Sequence, residues 1–279
     1  MSIQWFPGHM TKAMRTMQEA AKTVDAFGYV LDARAPASCF NPEFEKIVGA
    51  KPCVFILNKC DLADEAATQK WQEFLSRKAP TVRVSATASK DAGKIVSALE
   101  AATQKTREKH QAKGVYRPVR CMIIGVPNCG KSTIINCLAG RKTVVTGDRP
   151  GVTKGKQWVR LKNGLELLDT PGTLWPKFED QQKAYRLCFI GSIKDDVTDG
   201  AEVAKKLLAA VWQLYPQSIS SRYGFEFSDE QQAFAQVAAR RGFLLRGGEI
   251  DEERTAKAVA DDFRKGKLGR ITLELPEEV

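Results

Sequence analysis

Residues 125–132 read Gly-Val-Pro-Asn-Cys-Gly-Lys-Ser, directly after the apolar run Val-Arg-Cys-Met-Ile-Ile at 119–124 and running into a helix-compatible stretch from Lys131. A glycine-rich turn of the form GxxxxGKS between a buried strand and a helix start curls its backbone N–H groups around a phosphate, and the helix dipole adds favourable charge. The unit requires strand, loop and helix in that order, so it restricts the fold more than any other segment. Asn128, Cys129 and Gly130 shape the loop, and Thr133 follows in the first helical turn. Lys131 is placed to reach the β- and γ-phosphates, and the Ser132 hydroxyl to ligate Mg²⁺.

Other segments supply the strands that such a unit needs. Short apolar runs at 27–32, 53–58 and 81–85 alternate with helical patterns at 10–24, 68–77 and 94–110. This alternation predicts an α/β, doubly wound, mainly parallel sheet. Residues 157–161 and 165–168 flank Lys162-Asn163-Gly164, and Asn-Gly between two strands predicts an antiparallel hairpin. Beyond about residue 180 the pattern becomes helical. Val203, Leu207, Leu208, Val211 and Leu214 share one helical face, Ser228 with Gln231 forms a capping-box pattern closed by Gly242, and Asp251 caps a further helix. The expected organisation is an α/β P-loop domain over 1–178 followed by a smaller all-helical domain over 179–279.

Four further motifs define the chemistry. Asn58-Lys59-Cys60-Asp61 ends the second strand. There the Asp61 carboxylate can accept from both donors on the guanine edge; adenine has no donor at N1, and a site built on such bonds discriminates by roughly 10⁴. Lys59 is expected to pack along the base and reach back to the P-loop. Ser85-Ala86 ends the third strand, where a backbone N–H can meet the guanine oxygen. Asp169-Thr170-Pro171-Gly172 follows the hairpin, with Asp169 holding Mg²⁺ through a bound water and the Gly172 N–H meeting the γ-phosphate. Thr153, in a turn-rich stretch between the P-loop and that motif, is the threonine expected to ligate Mg²⁺ when the γ-phosphate is present.

In Ras-like GTPases the order is P-loop, switch threonine, DxxG, NKxD, SA. Here NKCD and Ser85-Ala86 come first, so the same elements are rotated. Circular permutation is tolerated where the original termini lie close together, and 100–118 would join them. The new break falls just after the DxxG motif, so the helical part continues directly from the segment that responds to the γ-phosphate.

Composition adds a partner class. The 279 residues carry a formal net charge of +10, which suits either a lysine-rich surface or a phosphate-rich partner. No apolar run approaches the ~20 residues of a membrane helix, and the N-terminus lacks the pattern of a signal peptide. Seven cysteines without a CxxC pair and only two histidines argue against a zinc cluster and fit a reducing cytoplasm.

These motifs, with Trp5-Phe6-Pro7-Gly8-His9-Met10, Asp32-Ala33-Arg34, the stretch TGDRPGVT at 146–153, DTPGTLWPKFED at 169–180, Arg241-Gly242 and Gly269-Arg270, resemble the circularly permuted ribosome-assembly GTPases, the bacterial YlqF/RbgA group. The resemblance spans nearly the whole chain. It implies a GTPase that binds GTP and GDP and matures the large (50S) ribosomal subunit. Such a protein docks on rRNA in the GTP state and leaves after hydrolysis, with turnover slow alone and stimulated by the particle. It further implies His9 as the group positioning the attacking water, since Thr173 stands where many Ras-like proteins carry glutamine, with Lys131 and Thr153 completing the catalytic set. In related P-loops an asparagine placed like Asn128 holds K⁺. Arg240, Arg241, Arg246, Lys257, Arg264, Lys265, Lys267 and Arg270 are the expected rRNA contacts of the helical domain. A cytoplasmic monomer without membrane attachment is expected. Two alternatives stay open: a nucleotide-gated RNA-binding scaffold, and a GTPase acting on tRNA.

Overall fold

The structure, a computed structural model, describes residues 3–86, 91–115, 117–144 and 157–278. Helix α1 (Gly8–Ala21) leads into strand β1 (Ala26–Asp32), followed by α2 (Pro42–Val48), β2 (Cys53–Asn58), α3 (Glu65–Ser76), β3 (Thr81–Arg83) and α4 (Ala92–Ala112). The pattern restarts with β4 (Arg120–Ile124), α5 (Lys131–Ala139) and the strands β5 (Gln157–Arg160) and β6 (Glu166–Asp169). Five helices complete the chain: α6 (Gln181–Phe189), α7 (Gly200–Leu214), α8 (Pro216–Tyr223), α9 (Glu230–Arg241) and α10 (Glu252–Arg264).

The six strands form one sheet in the order β3-β2-β1-β4-β6-β5. Only β5 runs antiparallel, paired with β6 across the Asn163-Gly164 turn. All seven residues of β1 are buried, as expected for a strand covered on both faces. The rotated chain order leaves no mark on the sheet. β4, which opens the second half of the sequence, pairs in parallel with β1, and its Ile123 stands level with Asp169 of β6. Asp32 stands level with Asn58 across β1 and β2. The carboxyl ends of these central strands therefore share one rim, the position where open α/β sheets bind ligands.

Local chemistry explains the helix starts. The side chains of Asn41, Asp64, Asp180, Asp199, Asp229 and Asp251 each accept from a backbone N–H of the following turn. Capping of α9 falls one residue later than the Ser228 pattern suggests. Asp229 accepts from the Gln232 N–H, while Ser228 bonds the Gln232 side chain. An ionised carboxylate next door outcompetes the hydroxyl for the helix N-terminus. In α7, Val203, Leu207, Leu208 and Val211 are buried, but Leu214 at its end is exposed. All seven cysteines are free.

Residues beyond α10 return to the first half of the chain. The Leu273 N–H donates to Arg34 O at 2.7 Å, and the Trp71 Nε1–H donates to Glu274 O at 2.9 Å. The Glu274 carboxylate accepts from both the N–H and the hydroxyl of Ser38 and pairs with Arg186. Burial raises its carboxyl above the ordinary range, and these partners offset only part of that. No described helix is long and apolar enough to cross a membrane.

Candidate nucleotide-binding site

Three segments far apart in sequence are stitched together at the sheet rim. Asn58 Nδ2 donates to Cys129 O at 2.8 Å, and its Oδ1 accepts the Ala86 N–H at 3.0 Å. Lys59, whose φ of 62° lies in the left-handed region, turns its Nζ onto Asn128 O at 2.6 Å. One short motif thus holds both the P-loop and the end of the third-strand segment, and Lys59 reaches the P-loop as its position predicts. Asp61 is exposed just beyond, available to a base. Burial pushes the neighbouring Cys60 thiol up to about 11, so it stays protonated at neutral pH.

Backbone shape is decided by two glycines. Gly130 caps α5 with φ of 100°, and a Cβ there would stand 2.2 Å from Asn58 Nδ2. Gly172 lies on the P-loop itself; its Cβ would meet Pro127 Cα at 2.5 Å and Pro127 N at 2.7 Å. Nothing larger than hydrogen fits between the two segments that are expected to flank the γ-phosphate.

Lys131 is 5% exposed, and its Nζ donates to Gly125 O at 3.0 Å and Val126 O at 2.9 Å. The ammonium is thereby held inside the loop it is meant to serve. Ser132 Oγ donates to Asp169 Oδ2 at 2.9 Å. A hydroxyl and a buried carboxylate at that spacing are a hard-oxygen donor set of the kind Mg²⁺ takes, the remaining positions being filled by water and phosphate. These residues fit the ion, which when bound neutralises charge developing on the phosphates. Thr153, the other expected ligand, lies outside the described residues. Thr133 is half-buried in the first turn of α5.

Other expected site residues bond within the protein. The Ser85 N–H donates to Asp91 Oδ2 at 2.9 Å and the Ala86 N–H to Asn58 Oδ1. Asn128, with φ of 57°, donates its Nδ2 to Gly191 O at 2.7 Å, which turns that amide towards the helical half. Thr173 is fully buried, and its hydroxyl donates to Met14 Sδ at 3.1 Å on α1 instead of facing the site. His9 stands exposed on the first turn of that same helix. The segment before α1 is bonded to the chain following DTPG: Gln4 exchanges two bonds with Phe178, and the Ile3 N–H donates to Gln181.

Most of the basic residues expected on RNA have carboxylate partners within the protein. Arg241 and Lys267 share Asp262 with Arg222; Arg264 pairs with Asp195, Lys265 with Asp261 and Arg270 with Glu65. Arg240, Arg246 and Lys257 are exposed.

A buried charge cluster behind the site carries no signal in local sequence pattern. Asp32 is fully buried and takes a bidentate pair from Arg34 at 2.8 and 2.9 Å and the Lys59 ammonium at 2.9 Å. Burial alone would raise its carboxyl, but the two cations outweigh burial and hold it well below the usual range. Arg34 also donates to Arg264 O at 3.3 Å and lies 5.2 Å over the Phe263 ring, tying the lysine of NKCD to the end of α10. Asp32-Ala33-Arg34 stood out only through its resemblance to a family motif.

Residues 120–210 match a family model described as a 50S ribosome-binding GTPase. The match begins at β4 and leaves out NKCD and Ser85-Ala86, as a rotated order requires. Ribosome biogenesis GTPase A of Priestia megaterium is 42% identical over 283 residues, covering 100% of this chain and 98% of the relative. The protein of the same name from Thermotoga maritima is 32% identical, covering 99% and 96%. Among solved structures, GNP-bound YlqF from T. maritima superposes with a TM-score of 0.66 at 28% identity, covering 96% of this chain and 100% of that one. The GDP-bound form gives 0.67. A nucleotide site assembled from rotated segments, and relatives matched end to end, identify the chain as a member of the ribosome biogenesis GTPase A (YlqF/RbgA) family of circularly permuted GTPases.

Proposed function

We propose that this GTPase drives a late step in assembly of the large (50S) ribosomal subunit, docking on rRNA with GTP bound and leaving after hydrolysis. The observation that carries the reading is the double attachment of the helical half, 179–279, to nucleotide-contacting segments. Gly191 O and Ser192 Oγ bond the P-loop at Asn128 and Pro127, while Gln181 bonds Ile3 in the N-terminal segment that leads into α1. A change at the γ-phosphate therefore bears on the helical half from two sides. The names of the relatives support the ribosomal setting, and the exposed Arg240, Arg246 and Lys257 supply charge for a phosphate backbone. The protein acts as a cytoplasmic monomer, with Mg²⁺ held by Ser132, Thr153 and, through water, Asp169, and K⁺ by Asn128.

Co-sedimentation with purified large subunits tests this reading. Association with a non-hydrolysable GTP analogue and release with GDP are expected. No association in either state removes the ribosomal assignment, and preference for isolated tRNA moves it to another RNA.

His9 is assigned to positioning the attacking water, and ordering of His9 and Thr153 on the particle accounts for stimulation. His9→Ala is expected to lose about 10²-fold of particle-stimulated turnover, with GDP affinity unchanged. Stimulated turnover equal to wild type would remove His9 from the mechanism.

A further inference from the structure

Arg270, at first sight one more base of the helical half, is half exposed, yet its guanidinium is engaged by the protein. Its Nε–H donates to Ala63 O at 2.8 Å, and its Nη2 donates to Cys60 O at 2.9 Å. These two carbonyls bracket Asp61, the residue assigned to the guanine edge. The chain on either side of Arg270 follows the same loop. The Ile271 N–H donates to Leu62 O at 3.1 Å, and Thr272 Oγ accepts the Asp64 N–H while donating to Ala33 O. Gly266, just past α10, is close enough to Leu62 that a Cβ would come within 2.9 Å of Cδ2. Arg270 also pairs with Glu65 at 3.0 Å, and Glu65 pairs with Arg83 of β3 at 2.7 Å, which links the strap to the strand leading into Ser85.

We infer that residues 270–272 form a strap completing the guanine-recognition loop, with Arg270 the residue that positions the Asp61 carboxylate. The loop of six residues between β2 and α3 is held by isolated bonds, such as Cys60 N–H to Val84 O and Leu62 N–H to Lys59 O, and not by a strand ladder. A planar guanidinium with donors in a fixed fork satisfies two carbonyls of that loop at once and sets their spacing, which a flexible ammonium cannot reproduce. Accepting two hydrogen bonds from guanine requires both carboxylate oxygens in one plane at the right height. Holding the backbone on both sides of Asp61 is the economical way to secure that geometry. The inference rests on the assignment of Asp61 to the base.

Hypoxanthine lacks the 2-amino group of guanine and offers Asp61 one donor instead of two, so comparing GDP with IDP isolates this geometry. Binding of both nucleotides to the full chain is measured by calorimetry, alongside unfolding of the same proteins. Wild type is expected to prefer GDP. Arg270→Ala is expected to weaken GDP about tenfold, the worth of one hydrogen bond to a charged group, and IDP by distinctly less, so that the preference shrinks. Arg270→Lys, able to hold one carbonyl, should fall between. If Arg270→Ala weakens both nucleotides equally with a lower melting temperature, the strap merely staples the tail and the inference fails. It fails also if nucleotide binding is unchanged while affinity for large subunits drops, since Arg270 is then an RNA contact. A wild type without preference for GDP overturns the Asp61 assignment and the strap together, whereas a retained preference in Arg270→Ala overturns the strap alone.

Discussion

Asp32→Asn is expected to destabilise the chain by about 3–5 kcal/mol, because removing one member of a buried ion pair leaves the other charge without compensation. Arg34 keeps its place over Phe263 but loses the opposite charge and one of its two acceptor oxygens, and Lys59 loses its only carboxylate partner among the described residues. The loss should appear as a lower urea midpoint and a lower melting temperature. The pH dependence has a defined sign. A carboxyl held below its unfolded value of about 3.9 contributes stability that is fully present above that value and is lost as the pH falls through the folded one. Wild type should therefore show no change from this group between pH 5 and 8 and a progressive loss in acid, whereas Asp32→Asn should lack that acid-side component. A variant as stable as wild type at neutral pH would mean that Arg34 and Lys59 find other partners, and the cluster would lose its assigned importance.

Gly172→Ala should separate binding of GDP from hydrolysis of GTP. The added methyl group would have to displace Pro127 backbone atoms now 2.5 and 2.7 Å from its position, and it would lie 2.9 Å from Lys131 Nζ. The cheaper escape is for the segment after β6 to move off the P-loop. A displacement of about 1 Å at a reacting phosphate is enough for a loss of roughly 10² in turnover. GDP has no γ-phosphate for Gly172 to meet, so its affinity should change by only a few-fold. Single-turnover hydrolysis and calorimetric GDP binding measure the two sides. Turnover at the wild-type rate would show that the DTPG glycine does not contact the reacting group, and an equal fall in both would show that the methyl group has deformed the P-loop instead.

What the sequence disclosed, and what it did not, divides by range of interaction. The P-loop was readable because strand, glycine turn and lysine-serine helix start are contiguous, and the β5–β6 hairpin because Asn163-Gly164 marks its own turn. Rotated order did not hide the sheet, since each strand end carries its motif independently of chain order. What was not readable mostly concerns partners distant in sequence. Arg264, Lys265, Lys267 and Arg270 look alike as charges, and only the fold separates one paired with Asp195 from one clasping the NKCD loop. Nothing local says that Met14 of α1 takes the Thr173 hydroxyl. Asp32 and Arg34 are two residues apart, yet their meaning comes from Lys59 and Arg264. Short-range errors were smaller, as in the displaced cap of α9, where two adequate capping residues stood side by side.

Arg270 lies 210 residues after Cys60, whose carbonyl it holds. At translation rates of about 5–20 residues per second, that interval takes roughly 10–40 s to synthesise. For the later part of this time, after residue 132, a nascent chain already contains the P-loop and NKCD but not the strap. If the strap sets the base-reading loop, selectivity is acquired only once residue 270 has been made, so a chain truncated before it would carry all of its nucleotide motifs while reading the base poorly.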